Sequence, residues 1–311
     1  MDLSIKLYSL AISEYELSVI PIEELKNKKK IGRGAFGSVF KCNIDRDIKM
    51  VAIKEISIGN DDESASIKNF LNELKLHSKA KSNRIIELFG ISHDMDADSC
   101  YLVMELADGH LRKYLSDKKD ELQWEEKIKI AVQLAEGVSY IHNVMKVAHR
   151  DLHTKNILMK HGDVKITDFG LSKNLNSVMS SKSDILGMLP FVDPQKLENS
   201  HYKTDTKSDI YSLGLLFWEI SSCRVPFNKL DAAFVVKNII ENKREEPVVG
   251  TPLSFVKLYS ICWNATPSLR LTADQVLKQI KSLSFEPVYN GVNITNENSS
   301  DTRGITSQTI L

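Results

Sequence analysis

The stretch of sequence that decides the fold is His149-Arg150-Asp151-Leu152-His153-Thr154-Lys155-Asn156, which is followed further along by Asp168-Phe169-Gly170. Between the two runs, Val164 and Ile166 alternate with polar residues, and this pattern predicts a short strand. Upstream, apolar residues form one long stripe that predicts an amphipathic helix. The stripe comprises Ile128, Ala131, Leu134, Ala135, Val138 and Ile141.

Strand patterns dominate the chain from Lys30 to about Glu105. Strand-like segments cover residues 38–42, 50–54, 85–91 and 101–104. One helix is predicted between the second and third of them, because apolar side chains recur there at spacings of three and four. Its stripe consists of Ile67, Phe70, Leu71, Leu74 and Ser78. After Asp108-Gly109 the patterns become mostly helical, so a small sheet with one helix precedes a larger helical part.

The composition is that of a soluble globular protein, with 42% hydrophobic and 26% charged residues. Lysine plus arginine and aspartate plus glutamate number 41 each, so neither nucleic acid nor a membrane surface is expected as the main partner. The four cysteines lie far apart without a CxxC pair, which argues against a zinc site and a secreted disulfide framework. No apolar run approaches the ~18 residues of a membrane span, so no membrane insertion is expected.

A glycine-rich run lies at the start of the strand-rich part and reads Ile31-Gly32-Arg33-Gly34-Ala35-Phe36-Gly37-Ser38-Val39. Glycines without a Cβ atom let a backbone close over phosphates. Dinucleotide-binding folds share the GxGxxG pattern, and an ordinary glycine-rich turn is the plain alternative. In the dinucleotide fold the glycines open a helix, whereas here a β-branched and aromatic run follows. The sequence therefore predicts that these glycines lie in a hairpin between two strands.

A lysine inside the next strand is the second candidate for phosphate contact. Lys54 ends the apolar run Val51-Ala52-Ile53-Lys54 and can aim its ammonium at the α- and β-phosphates of a nucleotide. A solvated surface lysine is the usual alternative. Glu73 separates the two, because it lies at the edge of the apolar helix stripe and can hold Lys54 by an ion pair.

Taken together, these motifs resemble those of the eukaryotic protein kinases. Residues 149–156 resemble the catalytic loop HRDxxxxN, and residues 168–170 resemble the magnesium-binding DFG. Glycine loop, strand lysine, helix glutamate, catalytic loop and DFG follow in the family's order and spacing. The resemblance covers about residues 27–285 and is closest to the tyrosine-kinase-like group of serine/threonine kinases. It implies an α+β bilobal fold, with a small antiparallel sheet and one helix in the N-lobe and a mainly helical C-lobe.

The resemblance also implies domain boundaries. Residues 1–26 are an N-terminal extension of uncertain structure. Residues 27–285 are the kinase domain, divided into an N-lobe (27–104), a hinge (105–109) and a C-lobe (110–285). The chain turns polar beyond Pro287, and residues 286–311 are expected to be a disordered tail.

The catalytic roles follow from the family's chemistry, in which positioning and cation placement dominate phosphoryl transfer. ATP and Mg²⁺ are the implied cofactors, and a protein hydroxyl is the acceptor. Lys54, held by Glu73, neutralises phosphate charge, and Lys155 is expected near the γ-phosphate. Asp151 accepts the proton of the substrate hydroxyl. The implied metal ligands are Asn156 and Asp168.

The resemblance places the adenine between the lobes. The backbone of Glu105-Leu106-Ala107 would hydrogen-bond the base, and Met104 would be the gatekeeper behind it. Ala52 and Val39 above, with Leu158 below, would enclose the ring. A plain core role for these apolar residues is compatible with this interpretation.

Two departures from the family pattern concern the substrate side. The family's APE reads Asp193-Pro194-Gln195 here, and its glutamate normally pairs with a buried arginine that corresponds to Arg270. Glutamine cannot form the charge-assisted bidentate pair, so a looser substrate-binding floor is expected. The loop at residues 187–191 lacks the threonine that many serine/threonine kinases place near the catalytic aspartate, and its Pro190 is similar to tyrosine kinases.

Another departure lies in the catalytic loop. Serine/threonine kinases usually carry lysine two residues after the catalytic aspartate, where this chain has His153. Lys155 follows two residues later, close to where tyrosine kinases favour arginine. The acceptor type is therefore left open, with serine or threonine favoured over tyrosine.

The segment from Asp168 to Pro194 resembles an activation loop. Its serines are candidate phosphorylation sites whose phosphate would pair with Arg150, although serines are common in flexible loops. They are Ser172, Ser177, Ser180, Ser181 and Ser183. Further on, residues 208–214 resemble the family's helix whose aspartate braces the backbone of the catalytic loop. Asp209, a charge in an apolar helix, needs buried partners, and the resemblance implies that the backbone around His149 and Arg150 supplies them.

The function expected from the sequence is that of an ATP-dependent protein kinase in intracellular signalling, located in the cytoplasm or the nucleus. A pseudokinase that acts as a binding module is the alternative, favoured slightly by Gln195 and His153. The presence of the full set of catalytic charges argues against it. The oligomeric state cannot be inferred from the sequence.

Overall fold

The structure is a computed structural model that describes residues 3–34, 37–44, 49–56, 71, 74–168 and 187–291. The strands of its N-terminal part form an antiparallel sheet in the order β1-β2-β3-β5-β4. They are β1 (Leu25–Gly34), β2 (Gly37–Ile44), β3 (Lys49–Ile56), β4 (Leu88–Asp94) and β5 (Ser99–Glu105). Helix α1 (Leu3–Tyr15) precedes the sheet, and α2 (residues 74–79) lies between β3 and β4 in sequence.

The C-terminal part is mainly helical. Its helices are α3 (Leu111–Asp117), α4 (Trp124–Asn143), α5 (Pro194–Glu198), α6 (Thr206–Ser222), α7 (Ala232–Ile240), α8 (Leu253–Cys262) and α9 (Ala273–Lys281). Short 3₁₀ turns cover Ile22–Glu24, Leu189–Phe191 and Pro267–Leu269. A small antiparallel sheet consists of β6 (Gly109–His110), β7 (Ile157–Lys160) and β8 (Asp163–Ile166). The predicted α+β architecture, with a sheet-based N-lobe and a helical C-lobe, is confirmed.

Helix α6 is the centre of the C-lobe, and its side chains from Ser208 to Ser221 are buried. A helix that is apolar on all sides belongs in a core. It begins with a capping box, in which Asp205 and Ser208 each accept from the other's backbone N–H. It ends at Ser222, and the next residue, Cys223, takes the left-handed conformation. Among the described helices, none is long and apolar enough to cross a membrane.

Helix α4 carries the long apolar stripe predicted from the sequence. Its stripe residues from Ala131 to Ile141 are at most 1% exposed, and Ile128 packs at the margin of the same core. The helix packs against β8, α6 and α9. This packing fixes the strand β8 that leads into Asp168.

Residues 3–24, whose structure the sequence left uncertain, pack onto the N-lobe sheet. Ala11 on α1 is fully buried in a cluster that also contains Leu74 of α2. The segment after α1 then runs beside β4, where the Ile91 N–H donates to the Ser18 carbonyl and the Ile20 N–H to the Ile91 carbonyl, each over 2.9 Å. A Cβ atom on Gly90 would lie 2.1 Å from the Ser18 oxygen, so this close approach requires glycine. Strand β1 begins at Leu25, slightly before the predicted domain boundary.

The expected start of a disordered tail at residue 286 is wrong for residues 286–291. The Tyr289 N–H donates to the Thr251 carbonyl over 2.7 Å, and the Leu253 N–H donates to the Pro287 carbonyl over 2.9 Å. The Tyr289 side chain is 7% exposed. Backbone pairing and the burial of one aromatic ring therefore hold this segment against the start of α8, despite its polar composition. Residues 292–311 lie outside the described residues.

Candidate active site

The loop at residues 149–156 is held in place by one buried carboxylate on α6. The Asp209 oxygens accept the backbone N–H groups of His149 and Arg150, each over 2.7 Å, and the Nε2 of His142 lies 2.7 Å away. Asp209 is 1% exposed. The predicted bracing of this loop by Asp209 is confirmed, and it explains how Arg150 is kept at a φ of 67°.

Asp151 and Asn156 meet within this loop. The amide nitrogen of Asn156 donates to the Asp151 carbonyl over 2.9 Å and to the carboxylate Oδ2 over 3.0 Å. Because its nitrogen is used in this way, the amide oxygen of Asn156 is the atom suited to a metal ion. The carboxylate of Asp151 is thus fixed on one side and remains partly accessible, with its side chain 18% exposed.

Asp168 is brought to the same place by the small sheet. The Thr167 N–H donates to the Asn156 carbonyl over 3.1 Å, which aligns the end of β8 with the start of β7. The Asp168 carboxylate forms an ion pair with the ammonium of Lys54 on β3. Lys54 is 5% exposed, which is unusual for a lysine. The structure therefore joins Lys54 and Asp168 across the two lobes, and the backbone bond of Thr167 places the adjacent Asp168 beside the strand that begins after Asn156.

The glycine-rich run lies at the predicted hairpin between β1 and β2. Gly34 pairs with Gly37, and Gly32 pairs with Val39 in an antiparallel register. Gly37 has a φ of 153°, which favours glycine. Ala35 and Phe36 lie outside the described residues. The hairpin excludes the dinucleotide-fold alternative, in which the glycines would open a helix.

The remaining predicted adenine contacts lie on strands of both sheets. Ala52 on β3 pairs with Met104 on β5, and both are 8% exposed. Leu158 on β7 pairs with His110, which follows the hinge. Val39, Ser38 and Leu158 are partly exposed, and Ile31 is exposed. The side chains predicted to enclose the base thus come from both lobes.

The hinge is tied to the C-lobe by contacts that the sequence did not reveal. The carboxylate of Glu105 pairs with Lys160 over 2.7 Å and with Lys165 over 2.9 Å. Burial raises the pKa of Glu105. The hydrogen bonds from the two lysines and from the Glu87 backbone together lower that pKa by more than burial raises it, so the net shift is downward. The Asp108 N–H also donates to the Met159 carbonyl over 2.8 Å. These bonds fix the hinge backbone on the sheet that carries Asn156 and Asp168.

Comparison with known proteins identifies the family. The model of the protein kinase domain matches residues 25–280. The chain belongs to the protein kinase family. This result confirms the family, the fold class and the phosphotransferase class that the motifs predicted.

The relatives of the kinase are themselves named as protein kinases. The chain is 31% identical to mitogen-activated protein kinase kinase kinase 10 of Xenopus laevis and to mitogen-activated protein kinase kinase kinase 7 of Drosophila melanogaster, with 87% and 84% of the chain covered. It is also 31% identical, over 83% of its length, to the putative serine/threonine-protein kinase/receptor R826 of Acanthamoeba polyphaga mimivirus. The presence of the two mitogen-activated protein kinase kinase kinases supports the predicted tyrosine-kinase-like group. The chain spans only 27%, 37% and 15% of these relatives, respectively.

The substrate side of the kinase differs from expectation at Arg270. The expectation that the charge-assisted bidentate pair is lost is wrong, because Asp193 forms it in place of the family's glutamate. The Arg270 guanidinium donates from Nη1 to Asp193 Oδ2 over 2.6 Å and from Nη2 to Oδ1 over 3.0 Å. Both side chains are fully buried. The acidic residue thus lies two positions N-terminal to Gln195, and the substrate-binding floor keeps a charge-assisted pair with Arg270.

Asp193 also connects this floor to the catalytic loop. Its carboxylate accepts the hydroxyl of Ser208 over 2.7 Å and caps α5 through the Gln195 N–H over 3.0 Å. Ser208 is the neighbour of Asp209, which holds the catalytic loop. Two adjacent residues of α6 therefore fix the segment before α5 and the loop that carries Asp151 relative to each other.

A second buried network also joins the catalytic loop to the segment that precedes α5. The carboxylate of Glu219 on α6 accepts Arg112 over 2.9 Å and the Thr154 hydroxyl over 3.1 Å. Arg112 also donates to the Gly187 carbonyl over 3.0 Å. Burial raises the pKa of Glu219, and the charge of Arg112 opposes that shift. Sequence reasoning missed this network. The signal that could have revealed it is Glu219 itself, an acidic residue inside an apolar helix, which needs a buried partner.

Two predicted features fall outside the described residues. Glu73 is one of them, and the serines at 172–183 are the others. The helix that follows Glu73 is anchored near the hinge, since the His77 Nε2 contacts the Ile86 carbonyl at 2.6 Å. Burial lowers the pKa of His77. Lys155 lies half-buried in the catalytic loop, and its N–H donates to the His153 Nδ1 over 3.2 Å.

Proposed function

We propose that this chain is an active ATP-dependent protein kinase that phosphorylates serine or threonine in protein substrates during intracellular signalling. The observation that carries the proposal is the inter-lobe ion pair between Lys54 and Asp168, formed next to Asn156 and the catalytic loop. A binding module that only keeps the fold has no physical need for a buried lysine paired with a carboxylate of the opposite lobe.

ATP and Mg²⁺ fit the residues present. The hairpin of β1 and β2 offers backbone without side chains at Gly32, where an added Cβ would meet no atom within 4 Å. The carboxylate of Asp168 and the amide oxygen of Asn156 are hard oxygen ligands suited to Mg²⁺. When bound there, the ion would neutralise charge that develops on the phosphate oxygens.

The side chains of this chain supply the remaining functions. Lys54 binds and orients the α- and β-phosphates, and the backbone of residues 105–107 positions the adenine. Asp151 accepts the proton of the substrate hydroxyl and aligns its oxygen for in-line attack. Lys155 is the cation of the catalytic loop that we assign to the γ-phosphate.

Serine or threonine is the proposed acceptor because the mimivirus relative is named as a putative serine/threonine-protein kinase/receptor. Pro190, which is similar to tyrosine kinases, favours a tyrosine acceptor instead, so the three acceptors need to be compared directly. The purified kinase should be profiled on a degenerate peptide library in which serine, threonine and tyrosine acceptors compete at equal concentration. The proposal predicts that at least one of serine and threonine is clearly preferred. Phosphate found only on tyrosine peptides would overturn it.

The pseudokinase alternative loses one of its two supports. It drew on Gln195, whose missing charge is supplied by Asp193 in a fully buried pair. The other support, His153, lies in the catalytic loop with its Nε2 3.5 Å from the Oδ1 of Asp151.

We also propose regulation by phosphorylation of a serine between residues 172 and 183. Arg150 lines a cleft of about 530 Å³ together with Lys75 and Lys146. The carboxylate of Asp205 also lines this cleft, so its lining carries three cations and one anion. The net positive charge suits a phosphate group, which carries about −1.5 to −2 charges at neutral pH. Mass spectrometry of the active enzyme should find phosphate in this segment. Full activity of enzyme without any phosphate there would remove the proposal.

A cytoplasmic or nuclear location is proposed from cysteine usage. Cys42, Cys100 and Cys262 are buried as free thiols. Free thiols are typical of proteins in reducing compartments. Microscopy of a fluorescent fusion in cells tests this, and accumulation in a secretory compartment would contradict it.

A further inference from the structure

His153 lies beside the catalytic aspartate rather than on the surface of the loop. Its Nε2 is 3.5 Å from the Oδ1 of Asp151, and its side chain is only 6% exposed. The ring also meets Phe191 edge-on, with 6.4 Å between the ring centroids. The imidazole is therefore enclosed between the catalytic loop and the segment that precedes α5.

The hydrogen bonds of the loop determine which nitrogen of His153 carries the proton. The backbone N–H of Lys155 points at Nδ1 over 3.2 Å. A backbone N–H can only donate, so Nδ1 must accept, and in the neutral ring the proton resides on Nε2. The nitrogen that faces Asp151 is consequently a donor, and it faces a carboxylate oxygen.

The two oxygens of Asp151 thus have separate donors. Oδ2 accepts the amide of Asn156 over 3.0 Å, and Oδ1 faces the imidazole. A carboxylate held at one oxygen can still rotate about its Cβ–Cγ bond, whereas donors at both oxygens fix its plane. Hydrogen bonds at a catalytic base often tighten only when substrate is bound, so 3.5 Å is close enough for this role.

We propose that His153 is a positioning residue that holds the plane of the Asp151 carboxylate through Nε2–H, where related kinases usually have lysine. The proposal rests on the kinase activity proposed above. A lysine has no ring that Lys155 and Phe191 could fix in this way, so the histidine acts on the base rather than on phosphate. Because Phe191 belongs to the segment anchored by Asp193, His153 also connects the base to the substrate-binding floor.

The test compares substitutions that keep or remove the donor. His153→Leu keeps approximate volume without a hydrogen bond, and His153→Gln retains an N–H group at about the reach of Nε2. His201→Leu is the matched control, because His201 is exposed and distant in sequence. For each protein, kcat and KM for ATP and peptide are measured together with the thermal midpoint and the calorimetric Kd for Mg·ATP.

We expect His153→Leu to lower kcat about 10–100-fold, the scale of a misplaced catalytic group, with Kd and KM for ATP nearly unchanged. His153→Gln should recover most of that loss, and His201→Leu should behave as wild type. In a background of Asp151→Asn, His153→Leu should cause no further loss in single-turnover rate, because its effect is exerted through Asp151.

Wild-type kcat in His153→Leu would overturn the inference, provided that the wild-type enzyme transfers phosphate. Equal losses in the Leu and Gln variants would overturn it as well, since the ring would then act only by packing. An additive loss in the Asp151→Asn background would show that His153 acts independently of Asp151. An inactive wild-type enzyme would instead refute the proposed function.

Discussion

Removal of the Asp193 carboxylate is the perturbation whose effect follows most directly from the structure. Asp193→Ala deletes the acceptor of two guanidinium hydrogen bonds, of the Ser208 hydroxyl and of the α5 cap. Arg270 keeps the carbonyls of Asn264, Ala265 and Lys207, but its charge is left buried without a counter-charge. Breaking a buried pair in this way costs about 3–5 kcal/mol. For a domain of this size, that corresponds to a fall in Tm on the order of 10 °C.

Asp193→Asn divides this effect into charge and shape. The amide can still accept hydrogen bonds at one atom, but it loses the charge-assisted pair, and such bonds are about twice as strong as neutral ones. We therefore expect a loss of roughly 1–3 kcal/mol, intermediate between wild type and the alanine variant. Peptide KM should rise in both variants, because the segment anchored by Asp193 borders the catalytic loop.

Thermal and urea unfolding of the full chain measure these losses, and Gln195→Ala is the matched control. Gln195 occupies the position of the family's glutamate but is only partly buried, so its truncation should cost less than about 1 kcal/mol. If Gln195→Ala destabilised the kinase as much as Asp193→Ala, the assignment of the buried acid to Asp193 would be refuted. A loss below about 1 kcal/mol in Asp193→Ala would refute the magnitude as well.

Two further perturbations test the packing around the site. Gly90→Ala should displace the segment at Ser18 and remove its two backbone hydrogen bonds, at a cost of about 1–3 kcal/mol, and amides of α1 should exchange faster with solvent. Ser13→Ala, on the exposed face of α1, is the control, and unchanged exchange in Gly90→Ala would contradict the close approach. Asp209→Asn should lower kcat at least about 10-fold. Both oxygens of Asp209 have partners, whereas in asparagine one of the two positions becomes an NH₂ group that cannot accept a hydrogen bond from a backbone N–H. Unaltered kcat in Asp209→Asn would show that the loop does not depend on this carboxylate.

The sequence was most informative where chemistry needs fixed residue types at short spacing. The glycine hairpin, Lys54, the catalytic loop and Asp168 were all found from local patterns. The partners of Asp209 came from the resemblance to protein kinases, in agreement with the rule that a charge in an apolar helix must be satisfied. Periodicity was sufficient to predict α4 and its buried face, since a long apolar stripe at helical spacing shows which side of the helix faces the core.

Pairs that form between distant residues could not be found in the same way. Asp193 and Arg270 are separated by 77 positions, and nothing local indicates that aspartate replaces a glutamate two residues later. The clasp of Glu105 by Lys160 and Lys165 depends on the register of β7 and β8 against the hinge. The prediction of a disordered tail failed for residues 286–291 because it relied on polar composition. Composition does not reveal a segment that is held mainly by backbone hydrogen bonds.

The central claim is that Lys54, Asp151, Asn156 and Asp168 form a working phosphotransfer site. The most direct measurement is the transfer of phosphate from γ-labelled ATP to a serine/threonine peptide by the wild type and by Asp151→Asn, with Mg·ATP binding followed by calorimetry. The account predicts that both proteins bind Mg·ATP equally and that the variant loses about 10²–10⁴-fold in rate. Transfer at the wild-type rate by the variant, or a folded wild-type protein that binds no Mg·ATP, would contradict it.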